Sequence, residues 1–189
     1  MRVETSSTPV LTAASLHELA ALGRNRIMQI YLHWTAGRYG ELYDEYHFNI
    51  DADGTVYLTC ALLTDLKQHT WHRNSGAVGI ALCGALGALP HNGIDTDFGS
   101  YPPTARQLDT AGKLVALLAQ GLDLPVDRFT VLTHCEAALL DGYGPFSGDV
   151  ETRWDLWYLR DSPGDGLMKP GGEVLRGKAL WYAKCSPFV

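Results

Sequence analysis

The chain has no apolar run approaching the ~18 residues needed to cross a bilayer. Its opening stretch, Met1-Arg2-Val3-Glu4-Thr5-Ser6-Ser7-Thr8-Pro9, lacks the apolar segment of a secretory signal. Lys and Arg form no cluster, and a formal charge of −6 argues against a nucleic-acid partner. The four cysteines (Cys60, Cys83, Cys135, Cys185) contain no C-x-x-C pair, and a chain of this size with so few of them needs no disulfide framework. What remains is a globular composition, 46% hydrophobic and 19% charged, over 189 residues. That is enough for one domain with its own core.

Periodicity divides this length into alternating elements. Thr12 to Leu22 reads as a helix, with Ser15 and Glu18 fitting a capping box and Gly23 a natural stop. Ile27-Met28-Gln29-Ile30-Tyr31-Leu32 is a strand-like run leading into His33. Tyr46 to Ile50 and Thr55 to Thr59 flank the turn residues Asp51-Ala52-Asp53-Gly54, which predicts a hairpin. Ala77 to Cys83 forms another strand. After a loop over Leu86 to Tyr101, Pro103 opens the clearest helix, which runs through Gln120 and closes at Gly121. A further strand, Arg128 to Thr133, leads into His134, followed by a short helical stretch from Glu136 to Leu140. Strands alternating with helices, plus a hairpin, predict an α/β fold with a central mixed β-sheet flanked by helices. A first domain is expected over residues 1–160, with 161–189 as a C-terminal extension.

Two histidines thus close two strand-like runs, and Asp155 follows further on within Thr152-Arg153-Trp154-Asp155. Two imidazoles and a carboxylate have the composition of an open zinc site, which keeps one position for water. Taken singly, a strand histidine is more often a hydrogen-bonded core residue than a ligand. Cys135 follows His134 directly, and on a strand it would point to the opposite face. His47 is expected to be structural, on the face opposite Tyr46. His69 and His72 could share one side of a helical turn, resembling a metal pair. Glu136, at a helix start, is read as compensating the helix dipole.

Several fragments, in order, resemble one family: Tyr31-Leu32-His33-Trp34-Thr35, Tyr46-His47-Phe48-Asn49-Ile50-Asp51-Ala52-Asp53-Gly54-Thr55-Val56-Tyr57, Thr70-Trp71-His72-Arg73-Asn74, Ser75 to Leu82, and Thr133-His134-Cys135-Glu136. They are similar to the zinc-dependent N-acetylmuramoyl-L-alanine amidases that share a fold with peptidoglycan recognition proteins. The resemblance covers about Ile27 to Trp157. It implies one Zn2+ per chain, held by His33, His134 and Asp155, with Asp149 as the reserve third ligand. It also implies cleavage of the amide between muramic acid and the first L-alanine of the stem peptide. Tyr46 and Arg153 match catalytic positions of phage-type members, the second a lysine there. Trp34, Trp71 and His72 fall beside the substrate groove.

The chain departs from the family pattern in three places. The spacing from His134 to Asp155 is longer than usual, so that the intervening Gly-rich loop reads as an insertion and Asp149 is the reserve candidate. Leu156-Trp157 follows Asp155 where Pro-Gly is usual, and Ala81 stands where one branch carries a glutamate base in the Val-Gly-Ile strand. The reading is a phage-lysin-like enzyme that accumulates in the cytoplasm and acts on peptidoglycan after release, with no membrane insertion. In it, residues 161–189 pack on the catalytic domain or contribute to wall binding. The alternatives are a cytoplasmic amidase that recycles muropeptides and a non-catalytic peptidoglycan-binding protein of the same fold.

Overall fold

The computed structural model describes residues 12–149, 152–162 and 166–185. Five strands form one sheet: β1 (Gln29–Trp34), β2 (Phe48–Ile50), β3 (Val56–Leu58), β4 (Ala77–Leu82) and β5 (Val131–Thr133), in spatial order β3-β2-β4-β1-β5. Within this sheet the β2–β3 hairpin is antiparallel and the other described pairings are parallel. The helices are α1 (Ala13–Ala21), α2 (Ala105–Leu122), α3 (His134–Asp141) and α4 (Gly171–Cys185), and a small ladder pairs β6 (Tyr158–Arg160) with β7 (Met168–Pro170). This is the α/β architecture expected, a mixed sheet flanked by helices. Among the described residues no helix is long and apolar enough to cross a membrane.

The period-2 alternation of the strands separates two faces. Ile30, Leu32, Trp34, Phe48, Ile50, Val78, Ile80, Leu82 and Val131 join the main core with α1, α2 and α4. Tyr31, Ala77 and Leu132 lie in a second cluster with Ala137 of α3. Along β4 that second face carries only Ala77, Gly79 and Ala81, and this leaves space above the sheet. A Cβ on Gly79 would fall 2.6 Å from Cγ of His69, so glycine is required for that ring to lie on the strand.

Local chemistry moved several boundaries. Thr12, not Ser15, caps α1: its hydroxyl accepts from the Ser15 N–H at 3.1 Å, so the capping residue stands three positions earlier than the Ser15/Glu18 reading. Thr104 and Gln107 make a reciprocal capping box that starts α2 at Ala105. The same helix runs past Gly121 and ends on Asp123 in the left-handed conformation (φ 61°). Gly121 instead allows contact with α1, since a Cβ there would meet that of Ala20 at 2.5 Å. His134 does not end a strand. It is the first residue of α3, capped reciprocally by Thr133 and Glu136.

α4 packs on α2 and places Val174, Leu175 and Ala179 in the main core. Arg176 donates to both carboxylate oxygens of Glu136 at 2.7 and 2.8 Å, which ties α4 to the first turn of α3. Leu175 is fully buried. Its truncation, Leu175→Ala, is expected to lower unfolding stability by about 2–5 kcal/mol in urea titrations. An unchanged midpoint would mean that α4 does not share the core.

Candidate metal centre and groove

The register of the sheet brings the two histidines together. β1 and β5 run parallel with Leu32 opposite Thr133, so His33 and His134 emerge side by side at the carboxyl ends of adjacent strands. Open α/β sheets bind ligands at such an edge. The two rings meet edge to face with centroids 4.8 Å apart.

Asp155 arrives from the turn before β6. Its backbone carbonyl accepts from the Cys135 N–H at 3.3 Å, Leu156 beyond it is fully buried, and the Trp154 ring before it packs edge to face on Trp34 at 5.0 Å. Its Oδ2 lies 3.1 Å from Nδ1 of His33 and its Oδ1 lies 3.2 Å from Nδ1 of His134. One ligand-capable atom from each of the three residues falls within 4.8 Å of the others, and all three residues are buried. Asp149 lies on the exposed rim of the groove, outside this group. Cys135 is also outside it, although its backbone is helical rather than extended.

The electrostatics suit a cation. Burial is the largest influence on His33 and lowers its pKa to about 4, against the pull of Asp155. Burial opposes the Asp155 carboxylate, but the two imidazoles outweigh it and hold the carboxyl well below the usual carboxylate range. A neutral His33 and an ionised Asp155 at neutral pH are the states that metal ligation needs. The donor set therefore fits a zinc ion with an open position.

His134 and Asp155 line a groove of about 1020 Å³, whose walls also include Trp34, Tyr46, His69, Trp71, Tyr143, Arg153 and Trp154, and His33 lies buried against them. The Tyr46 ring stands 5.1 Å from that of His33. Burial first, and then the Asp155 charge, raise the Tyr46 phenol above its ordinary value, so it holds its proton. Arg153 is exposed at the groove, with its N–H donating to the Tyr143 carbonyl. Trp71 is 63% exposed and meets Tyr143 edge to face. Trp34 belongs mostly to the core at 6% exposure.

His69 and His72 do not form a pair. His72 is exposed and meets Trp71 edge to face, outside the groove wall, whereas His69 is buried in that wall. The segment carrying His69 is bolted down. Asn74 Oδ1 accepts from the backbone N–H groups of His69 and Thr70, and Arg73 holds both oxygens of Asp141 at 2.6 Å. His69 and Thr70 are parts of the site that sequence reasoning missed; the small face of β4 was the available signal. His47 is structural, as expected: its Nδ1 accepts from the Gly79 N–H at 3.0 Å and its Nε2 bonds the Asp65 carbonyl.

The family model of the N-acetylmuramoyl-L-alanine amidases (Amidase_2) matches residues 23–148, more than half of the chain, and the chain belongs to that family. Asp155 lies beyond the matched stretch and is brought to the site by the turn that carries it. No curated protein sequence matches the chain. Among solved structures, the chain is similar to the endolysin amidase LysCS of Clostridium intestinale URNW at 18% identity and TM-score 0.43, covering 70% of this chain and 78% of that one. The Ph2119 endolysin of a Thermus scotoductus MAT2119 bacteriophage gives 17%, 0.43, 71% and 79%. Drosophila peptidoglycan recognition protein SA gives 22%, 0.40, 59% and 69%.

The buried, neutral histidines make stability depend on acid. Burial lowers His47 to about 4, so between pH 6.5 and that value the unfolded chain binds a proton that the folded chain refuses. Stability therefore falls as pH drops through this window, by roughly 3 kcal/mol for the full shift. Unfolding free energies at pH 7 and 4.5 test this. His47→Gln is expected to lose less on acidification than the parent, and equal losses would remove His47 as a contributor.

Proposed function

We propose that the chain is a zinc-dependent amidase that hydrolyses the bond between the lactyl group of N-acetylmuramic acid and L-alanine in peptidoglycan. The observation that carries this reading is the convergence of His33 Nδ1, His134 Nδ1 and the Asp155 carboxylate, with His134 and Asp155 lining the wide groove. Membership of the amidase family supports the bond; the donor chemistry supports the metal. A zinc ion held by these three residues would polarise the carbonyl and make a water nucleophilic near neutral pH.

The remaining work falls to side chains. Tyr46 keeps its proton, so it acts as a hydrogen-bond donor that orients the reacting oxygen or steadies the charge developing on it. Arg153, permanently cationic at the groove, stabilises that charge without giving up a proton. Trp71 offers an exposed aromatic face at the groove to the sugar or stem peptide. Tyr143, with its hydroxyl 3.4 Å from His134 Nε2, helps fix that ring.

The accompanying proposal is endolysin-like action on intact wall. Tyr46 with Arg153, and Ala81 in place of the strand glutamate, suit that branch, and an open groove with an exposed aromatic rim suits a polymer. A recycling enzyme would prefer soluble anhydromuropeptides over sacculi, and the two substrates separate the readings.

Mass spectrometry of digested sacculi is expected to show stem peptides with a free L-alanine amine and glycan with free lactyl carboxyl groups. A chelator should abolish this release, zinc should restore it, and His33→Ala should lose both zinc and hydrolysis. Retention of both by His33→Ala would sink the metal reading. Tyr46→Phe is expected to lower kcat on the order of 10²–10⁴-fold with little change in KM. Full kcat in that variant would take Tyr46 out of the mechanism.

A further inference from the structure

A trough of about 580 Å³ runs beside α4 and shares no lining residue with the catalytic groove. Its volume lies in the ~300–1,000 Å³ range of small-molecule sites. Glu173, Gly177 and Trp181 stand four residues apart along α4 and so share the face that lines it. Asp109 of α2, Lys178 of α4, and Asp161 and Lys169 of the β6–β7 segment complete the polar lining.

Gly177 has no packing reason to be glycine. Its backbone is helical, and a Cβ there would meet nothing within 4 Å. Gly112 on the facing helix differs, since a Cβ on it would lie 2.6 Å from that of Lys178. Glycine inside a helix is destabilising relative to alanine, so Gly177 weakens α4 and in return leaves bare space beside Trp181. The Trp181 ring is 58% exposed and meets that of Tyr182 edge to face with centroids 4.9 Å apart. Tyr182 itself packs against the main core, so the indole is propped from within while remaining open to the trough.

Charge narrows what the trough can take. Lys178 donates to Asp109 at 2.5 Å, and Lys169 pairs with Asp161 at 2.8 Å. Glu173 adds a third carboxylate, so the described lining carries one net negative charge, from Asp109, Asp161 and Glu173 against Lys169 and Lys178. An anionic polymer is therefore disfavoured. A neutral sugar suits the lining: a pyranose lays its C–H face on an indole and turns its hydroxyls outward. Each carboxylate and ammonium group has donors or acceptors left over from its ion pair to meet them.

We propose that this trough is a second saccharide site, in which a sugar of the glycan strand stacks on Trp181 across the gap left by Gly177. The identity of the sugar rests on the peptidoglycan reading; the site itself rests on the trough, the propped indole and the bare helix face. Such a site holds the polymer while the groove acts elsewhere on it, so it serves intact wall and is idle with soluble fragments.

The probe is tetra-N-acetylchitotetraose, a soluble neutral analogue of the glycan strand, titrated into the ¹⁵N-labelled full chain. It is expected to move the indole N–H signal of Trp181, which Trp181→Phe identifies by deleting it. Gly177→Gln fills the gap with a better helix former, so its urea midpoint should match or exceed that of the parent. Its affinity for the sugar is expected to fall about tenfold, as in Trp181→Ala. In Gly177→Gln, cleavage of a soluble muramoyl peptide should stay at the parental rate while release from sacculi falls. An unmoved Trp181 signal at millimolar sugar, a response confined to Trp71 or Trp154 of the groove, or parental affinity in Gly177→Gln would overturn the site. The amidase reading fails separately: the Trp181 signal would then respond to the sugar while sacculi and soluble muramoyl peptide both stay uncut.

Discussion

A single carboxylate joins three remote stretches of this chain. Asp155 turns one oxygen to His33 at the end of β1 and the other to His134 at the start of α3. Each group is buried, and a buried charge without partners is strongly destabilising. The turn that carries Asp155 cannot drift from the sheet edge without exposing that imbalance. Its anchors are correspondingly many: Leu156 in the core, Trp154 on Trp34, and the Cys135 N–H on the Asp155 carbonyl. The architecture of the groove follows from the need to keep this one side chain where both imidazoles can reach it.

Much of this was legible in the residues. The alternation in β1 and β4, the Asp-Ala-Asp-Gly hairpin and the stripe of α2 are direct readings of periodicity and turn chemistry, and they suffice for the mixed sheet. His33, His134 and Asp155 were identified through a family pattern, and the parallel register of β1 and β5 explains why two distant histidines become neighbours. Other features depended on partners remote in sequence. Gly121 reads as a helix stop, yet contact with Ala20 gives it a packing role inside the helix. Gly and Pro between Asp161 and Gly172 disguised a helix whose place is set by α2 and by Glu136. The pair Thr133 and Glu136 carried a capping signature that would have moved His134 from strand to helix.

His69 shows why a ligand-type residue is hard to judge alone. It looked like half of a metal pair with His72, but the turn sends the two rings apart, one into the groove wall and one outward onto Trp71. What admits His69 is the absence of a side chain at Gly79. The strand's family-like glycine is thus explained by steric fit: it is the floor on which an imidazole rests. The small residues on either side, Ala77 and Ala81, extend that floor beneath the groove.

α3 is tied at both ends by charge, to α4 through Glu136 and Arg176 and to the segment before β4 through Asp141 and Arg73. It therefore behaves as a strut with His134 mounted at one end. The Arg176 fork thus couples the seat of α4 to the helix turn that bears that histidine, whereas α1 meets the sheet's helical layer through α2.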